Sequence, residues 1–214
     1  MKHERLHALS DGIFAIAMTL LVLELRVPDI DQATNAELLV ALKHLLPSLY
    51  SFALSFFLLF IYWRGFNAVI GTLAKTINFT VVLMSMVYLM LISLVPFSSY
   101  FFGKYGSTQV GVAVYAINIL LIGLSLHATR KYILRSAEVE TSTHWKRRDH
   151  RNASVRALVP SGVAISSIIV GFWSTRVAGV MLLGIVFLSI FNSSFDLLFK
   201  VLDKLGIGVH DETR

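Results

Sequence analysis

Apolar residues run along this chain in long blocks separated by short polar stretches. Six blocks stand out, at residues 8–27, 45–63, 77–102, 109–129, 157–173 and 177–199. Blocks of about 20 apolar residues match the ~30 Å hydrocarbon core of a bilayer, so each predicts a membrane-spanning helix. The expected fold is all-α, a single polytopic membrane domain over residues 1–214. The second helix is expected to begin earlier, as an amphipathic stretch near Asn35-Ala36-Glu37, with Pro47 free to kink it. Pro96 in the third block is a possible hinge. An acidic stretch, Pro28-Asp29-Ile30-Asp31, separates the first two blocks. The one long polar segment, 130–156, reads as a loop with a basic core from His144 to Arg151.

The first block has an internal pattern. At 100° per residue, Leu9, Ile13, Ile16, Leu20, Leu23 and Val27 fall on one stripe. Asp11 falls on the opposite face, and Gly12, Ala15 and Thr19 form a small-residue flank open to close approach by another helix. Such a stripe touches lipid, protein or a pore, and periodicity alone does not choose. Asp11 reads either as an ion or proton ligand or as a helix-start cap and buried partner for a cation. Ser10-Asp11 with Arg5 nearby suits capping and local pairing. If the stripe lines a pore, Asp11 points away from it and the structural role follows. Glu24, near the outer end, either concentrates cations or pairs with Arg26 or Lys43.

Composition agrees with the pattern. Of 214 residues, 56% are hydrophobic and 15% charged, with a mean hydropathy of +0.70. Ala15-Ile16-Ala17 imitates a signal-peptide cleavage site but lies inside the apolar run, so the first helix is expected to be retained. Placement explains the net charge of +6 without nucleic acid: of 19 Lys and Arg residues, only Arg26, Lys43, Lys104 and Arg176 fall on one side of the six-span arrangement. The positive-inside rule then places both termini in the cytoplasm. There are no cysteines, and the seven histidines lack metal-ligand spacing. The run 146–151 suits anionic headgroups or the orientation signal itself. Neither a nucleophile motif nor a phosphate loop is present, so no enzyme, catalytic residue, metal or cofactor is expected. Arg-x-x-x-Leu-Ser-Asp occurs once, so a symmetric path lined by it needs several chains.

These residues resemble bacterial relatives of the endolysosomal potassium channel, the transmembrane protein 175 family. That family is marked by Arg-x-x-x-Phe-Ser-Asp followed by an aliphatic helix ending near a Glu. Arg5, Ser10, Asp11 and Glu24 match, with Leu9 where Phe is expected. The similarity extends to Ser55–Trp63, to Leu94-Val-Pro-Phe-Ser-Ser99 and to Tyr115-Ala-Ile-Asn118. The family often has a His pair after the second-helix Trp; Phe66 and Asn67 stand there instead. A polar network from Asp11 must therefore run through Asn67 or Trp63.

The resemblance implies a homotetrameric, potassium-permeable cation channel in the bacterial plasma membrane, with the first helix of each subunit lining the pore. Ile16, Leu20 and Leu23 would form its apolar rings, Thr19 would add a hydroxyl on rotation, and Glu24 would stand at the mouth. Arg5, Ser10, Asp11, Trp63 and Asn67 would form the structural motif. The partners implied are potassium ions, the lipid bilayer and further copies of the chain. No Thr-Val-Gly-Tyr-Gly filter exists here, so selectivity over sodium is expected to be modest. The competing readings are a proton-conducting channel and a secondary transporter; the latter usually shows inverted repeats and mid-membrane polar groups, which are not evident.

Overall fold

The computed structural model describes residues 3–27, 34–141 and 147–190, with side chains except at 147–158 and 185–190. Helices α1 (His3–Leu20), α2 (Asn35–Phe66), α3 (Phe79–Ser93), α4 (Val95–Tyr105), α5 (Gln109–Arg135), α6 (Arg147–Gly171) and α7 (Thr175–Ile190) account for almost all of it. Among the described residues there is no strand beyond an isolated bridge between Ala74 and Thr141. The acidic stretch 28–31, residues 142–146 of the polar segment, residues 191–199 of the sixth block, and Lys2, Lys200, Lys204 and Arg214 lie outside the described residues.

Among the described residues, four runs are long and apolar enough to cross a membrane: His3–Glu24, Asn35–Leu73, Phe79–Tyr105 and Gln109–Arg135. Val159–Gly171 and Thr175–Gly184 are shorter apolar helices.

The boundaries depart from the expected blocks for identifiable reasons. The first helix starts at His3 rather than residue 8 and ends in a 3-10 turn over Leu21–Glu24; residues 25–27 are not helical. The second begins at a capping box, with Thr34 accepting from the Glu37 amide and Glu37 reaching back to the Thr34 N–H. It carries Pro47 internally and continues past residue 63 as a π-helical segment, Asn67–Leu73. The third block is two helices broken at Leu94, because Pro96 lacks the N–H that would continue the ladder to Ile92. Residues 130–156 are not one loop: α5 runs to Arg135 and α6 begins at Arg147.

Two ends of the bundle can be told apart. At one, His3 donates to the Ile70 carbonyl at 2.7 Å, the Lys75 amide donates to the Glu140 carbonyl, and Asn78 donates to Glu138. The start of α1, the α2–α3 turn and the end of α5 therefore meet there. At the other end, Thr175 donates to the Ser107 carbonyl, joining the α6–α7 and α4–α5 turns. That second turn is tight: a Cβ on Gly111 would lie 2.0 Å from the Tyr105 carbonyl oxygen. Arg5, Arg64, Lys75, Arg130, Lys131 and Arg135 fall toward the first end, and Arg26, Lys43, Lys104 and Arg176 toward the second. The partition is the one expected from the six-block reading.

The core is built around α2, α4 and α5. Phe66 stacks on Tyr88 at 5.1 Å and Phe102 on Tyr115 at 5.0 Å. Buried hydroxyls must find partners where water is excluded. Tyr62 donates to the Ile119 carbonyl and Tyr88 to the Tyr62 carbonyl.

Candidate functional site: the first helix and its supports

Helix α1 divides its surface cleanly. Leu6, Ser10, Phe14, Ala17 and Leu21 are buried against the rest of the protomer. Ile16, Leu20 and Leu23 are exposed at 60%, 41% and 61%, with Gly12, Ala15 and Thr19 exposed beside them. Nothing comes within 4 Å of where a Gly12 Cβ would stand. The 3-10 turn matters to the stripe: side chains three apart eclipse in that geometry, which keeps Leu23 beneath Leu20. Ile16 to Leu23 then spans about 12 Å along the helix. Thr19 does not project its hydroxyl freely; it donates back to the Ala15 and Ile16 carbonyls at 3.0 and 2.9 Å.

The motif residues sit differently from expectation in three respects. Because α1 begins at His3, Ser10 and Asp11 lie two turns inside it and cap nothing; Ser10 is buried and donates to the His7 carbonyl. Asp11 is exposed on the protomer and its partner is not a cation: Oδ1 accepts the Trp63 indole N–H at 2.8 Å. Arg5 is exposed and does not pair with Asp11 among the described residues. Asn67 opens the π-helical segment, half-buried, and makes no hydrogen bond to Asp11 among the described residues. Trp63 thus serves as the Asp11 partner, its ring stacked on Phe60 at 6.0 Å.

Glu24 is half-buried and pairs with neither Arg26 nor Lys43 among the described residues. It lines a small pocket with Leu21, Ser48, Ser51, Ser99 and Tyr100, between the end of α1 and the helices α2 and α4.

The structure also joins three motifs that are far apart in sequence. Ser55 on α2 donates to Ser99 on α4 at 2.8 Å and bonds to the Tyr115 hydroxyl of α5 at 2.8 Å. Ser99 donates to the Ser51 carbonyl, and Asn118 donates to Ser98 at 2.9 Å. Gly103 lets α4 approach this close, since a Cβ there would lie 2.6 Å from Ser51 Oγ. These bonds fix α4 and α5 on α2. The sequence marked Ser55, Ser98, Ser99, Tyr115 and Asn118 only as members of short matching segments, and held no sign that they touch.

Comparison with known proteins places this arrangement. Residues 5–96 match the family described as the endosomal/lysosomal potassium channel TMEM175. A potassium channel of Chamaesiphon minutus is 32% identical over 131 residues, which are 60% of this chain and 64% of that protein. A potassium channel of a Chryseobacterium species is 29% identical over 135 residues, 63% of this chain and 67% of that one. The matched part thus spans just under two thirds of the Chamaesiphon relative's length. Among solved structures, a lysosomal potassium-selective channel TMEM175 homologue from Chamaesiphon minutus superimposes with a TM-score of 0.75 at 24% identity, covering 89% of this chain and 97% of that one. A single-residue variant of the potassium channel MtTMEM175, solved in complex with a nanobody fusion protein, gives 0.58 at 16% identity, covering 94% and 93%. The fold is shared with both. This multi-pass membrane protein is thus similar to TMEM175 channels in sequence over its first half and in fold over most of its length.

Proposed function

We propose that the chain is the subunit of a potassium-permeable cation channel, a homotetramer of six-span subunits whose first helices line a central pore. One observation carries this reading: α1 buries one face in its own protomer and leaves Ile16, Leu20 and Leu23 in register on the other. The relatives named as potassium channels support the ion, and the exposed small residues Gly12 and Ala15 support close approach between copies. The fold's division of basic residues supports cytoplasmic termini in a bacterial plasma membrane.

Selectivity follows from dehydration. An apolar constriction about 12 Å long resists wetting and makes ions shed part of their hydration. Potassium holds water less tightly than sodium and crosses at lower cost. No carbonyl ring compensates, so discrimination is modest. Thr19 spends its proton on the helix backbone and presents lone pairs only. Glu24 stands at the outer end of the first helix, beside the mouth.

Potassium efflux from proteoliposomes tests the proposal. Purified protein releases potassium without a coupled substrate, and sodium more slowly. Efflux no faster than from empty vesicles contradicts it.

A further inference from the structure

We propose that Glu24 and the serine hydroxyls around it form a binding site for one small monovalent cation, at the outer end of α1 and behind the exposed stripe. The pocket's polar lining is Glu24, Ser48, Ser51 and Ser99, walled by Leu21, Leu25, Phe52 and Tyr100. It has room for about one water-sized occupant, the scale of a bare alkali ion.

Its chemistry selects a cation. Every polar side chain on the lining offers oxygen, and the one charged group is a carboxylate. The hydroxyl protons point away from the pocket's acceptors: Ser99 donates to the Ser51 carbonyl and Ser51 to the Ser48 carbonyl, so Ser51 Oγ keeps its lone pairs and Ser99 Oγ, which also accepts from Ser55, keeps one. Ser48 is half-buried, and its hydroxyl makes no hydrogen bond among the described residues. Ser51 and Ser99 are each only 3% exposed and held in place by the α2–α4 contact at Gly103. A partly buried carboxylate with no ion pair is costly unless something positive joins it. The nearby cation Lys104 donates to Tyr100 at 3.4 Å and forms no ion pair with Glu24 among the described residues. A single carboxylate with neutral hydroxyls suits a monovalent ion; calcium sites use six to eight oxygens, typically several of them carboxylate.

The site joins α1 to α2 and α4, so its occupancy strengthens the outer docking of α1. This holds wherever the conduction path lies.

The test is thermal unfolding of the detergent-purified protein in potassium or sodium chloride, with N-methyl-D-glucamine chloride holding ionic strength constant. The site predicts a saturable rise in Tm with the alkali ion. That rise is lost in Glu24→Gln, its half-saturation point moves several-fold higher in Ser48→Ala, and it persists in Leu20→Asn. No rise in the unmodified protein, or an undiminished rise in Glu24→Gln, overturns the proposal. Loss of the rise in Leu20→Asn does so too, because the ion then sits on the stripe.

Discussion

The indole N–H of Trp63 reaches Asp11 Oδ1 at 2.8 Å across 52 residues of sequence, and this bond pins α1 to the far half of α2. A hydrogen bond to a charged acceptor contributes about 1.5–3 kcal/mol, and less where solvent reaches it. Asp11→Ala removes the acceptor, while Asp11→Asn keeps an oxygen for the indole. We expect Asp11→Ala to lower Tm and reduce the oligomer on size-exclusion chromatography, with Asp11→Asn close to the unmodified protein. An Asp11→Ala protein that stays assembled but reverses its preference between potassium and sodium would make Asp11 an ion ligand instead.

Two glycines separate protomer packing from assembly. Gly111→Ala drives a methyl into the Tyr105 carbonyl, so the α4–α5 turn must open. Overpacking of this kind costs about 1–3 kcal/mol, read as a lower Tm. Gly12→Ala meets nothing within 4 Å in the protomer and should leave its folding intact. If copies of α1 approach along the Gly12–Ala15 flank, the same change shifts cross-linked species from tetramer toward monomer. Full retention of the tetramer places the contact between copies elsewhere.

The end of the bundle where Lys75 bonds Glu140 carries Arg5, Arg64, Lys75, Arg130, Lys131 and Arg135. That end should face the cytoplasm. A protease site engineered at Glu138 should be cut in inverted membrane vesicles and protected in spheroplasts; the opposite pattern inverts the topology.

Much of the arrangement was legible in the sequence because it rests on composition and period. Apolar blocks marked the long helices, and the 100° period separated Ile16 and Leu20 from Asp11. The motif at Arg5-Ser10-Asp11 pointed to the TMEM175 resemblance without revealing its local roles. Helix starts are poorly marked when no cap residue stands before them, so α1 was expected five residues late and Ser10-Asp11 were read as caps. The break at Leu94 had a visible cause in Pro96, but whether a proline bends or divides a helix depends on what packs around it. Ser55, Ser99 and Tyr115 were out of reach for a different reason. Their contact arises from how α2, α4 and α5 cross, which no local pattern records. Glu24 was ambiguous because its neighbours Ser48 and Ser99 come from other helices.

Currents through Leu20→Asn most directly test whether the α1 stripe lines the pore. Purified protein goes into a planar bilayer with potassium chloride on one side and sodium chloride on the other. Four amides at the Leu20 ring would hold water and lower the dehydration barrier, so conductance rises and the reversal potential moves toward zero. Ala15→Asn, on the flank, should lower the number of active channels without that shift. A Leu20→Asn channel with unchanged conductance and reversal potential would contradict the account and put Ile16, Leu20 and Leu23 against lipid.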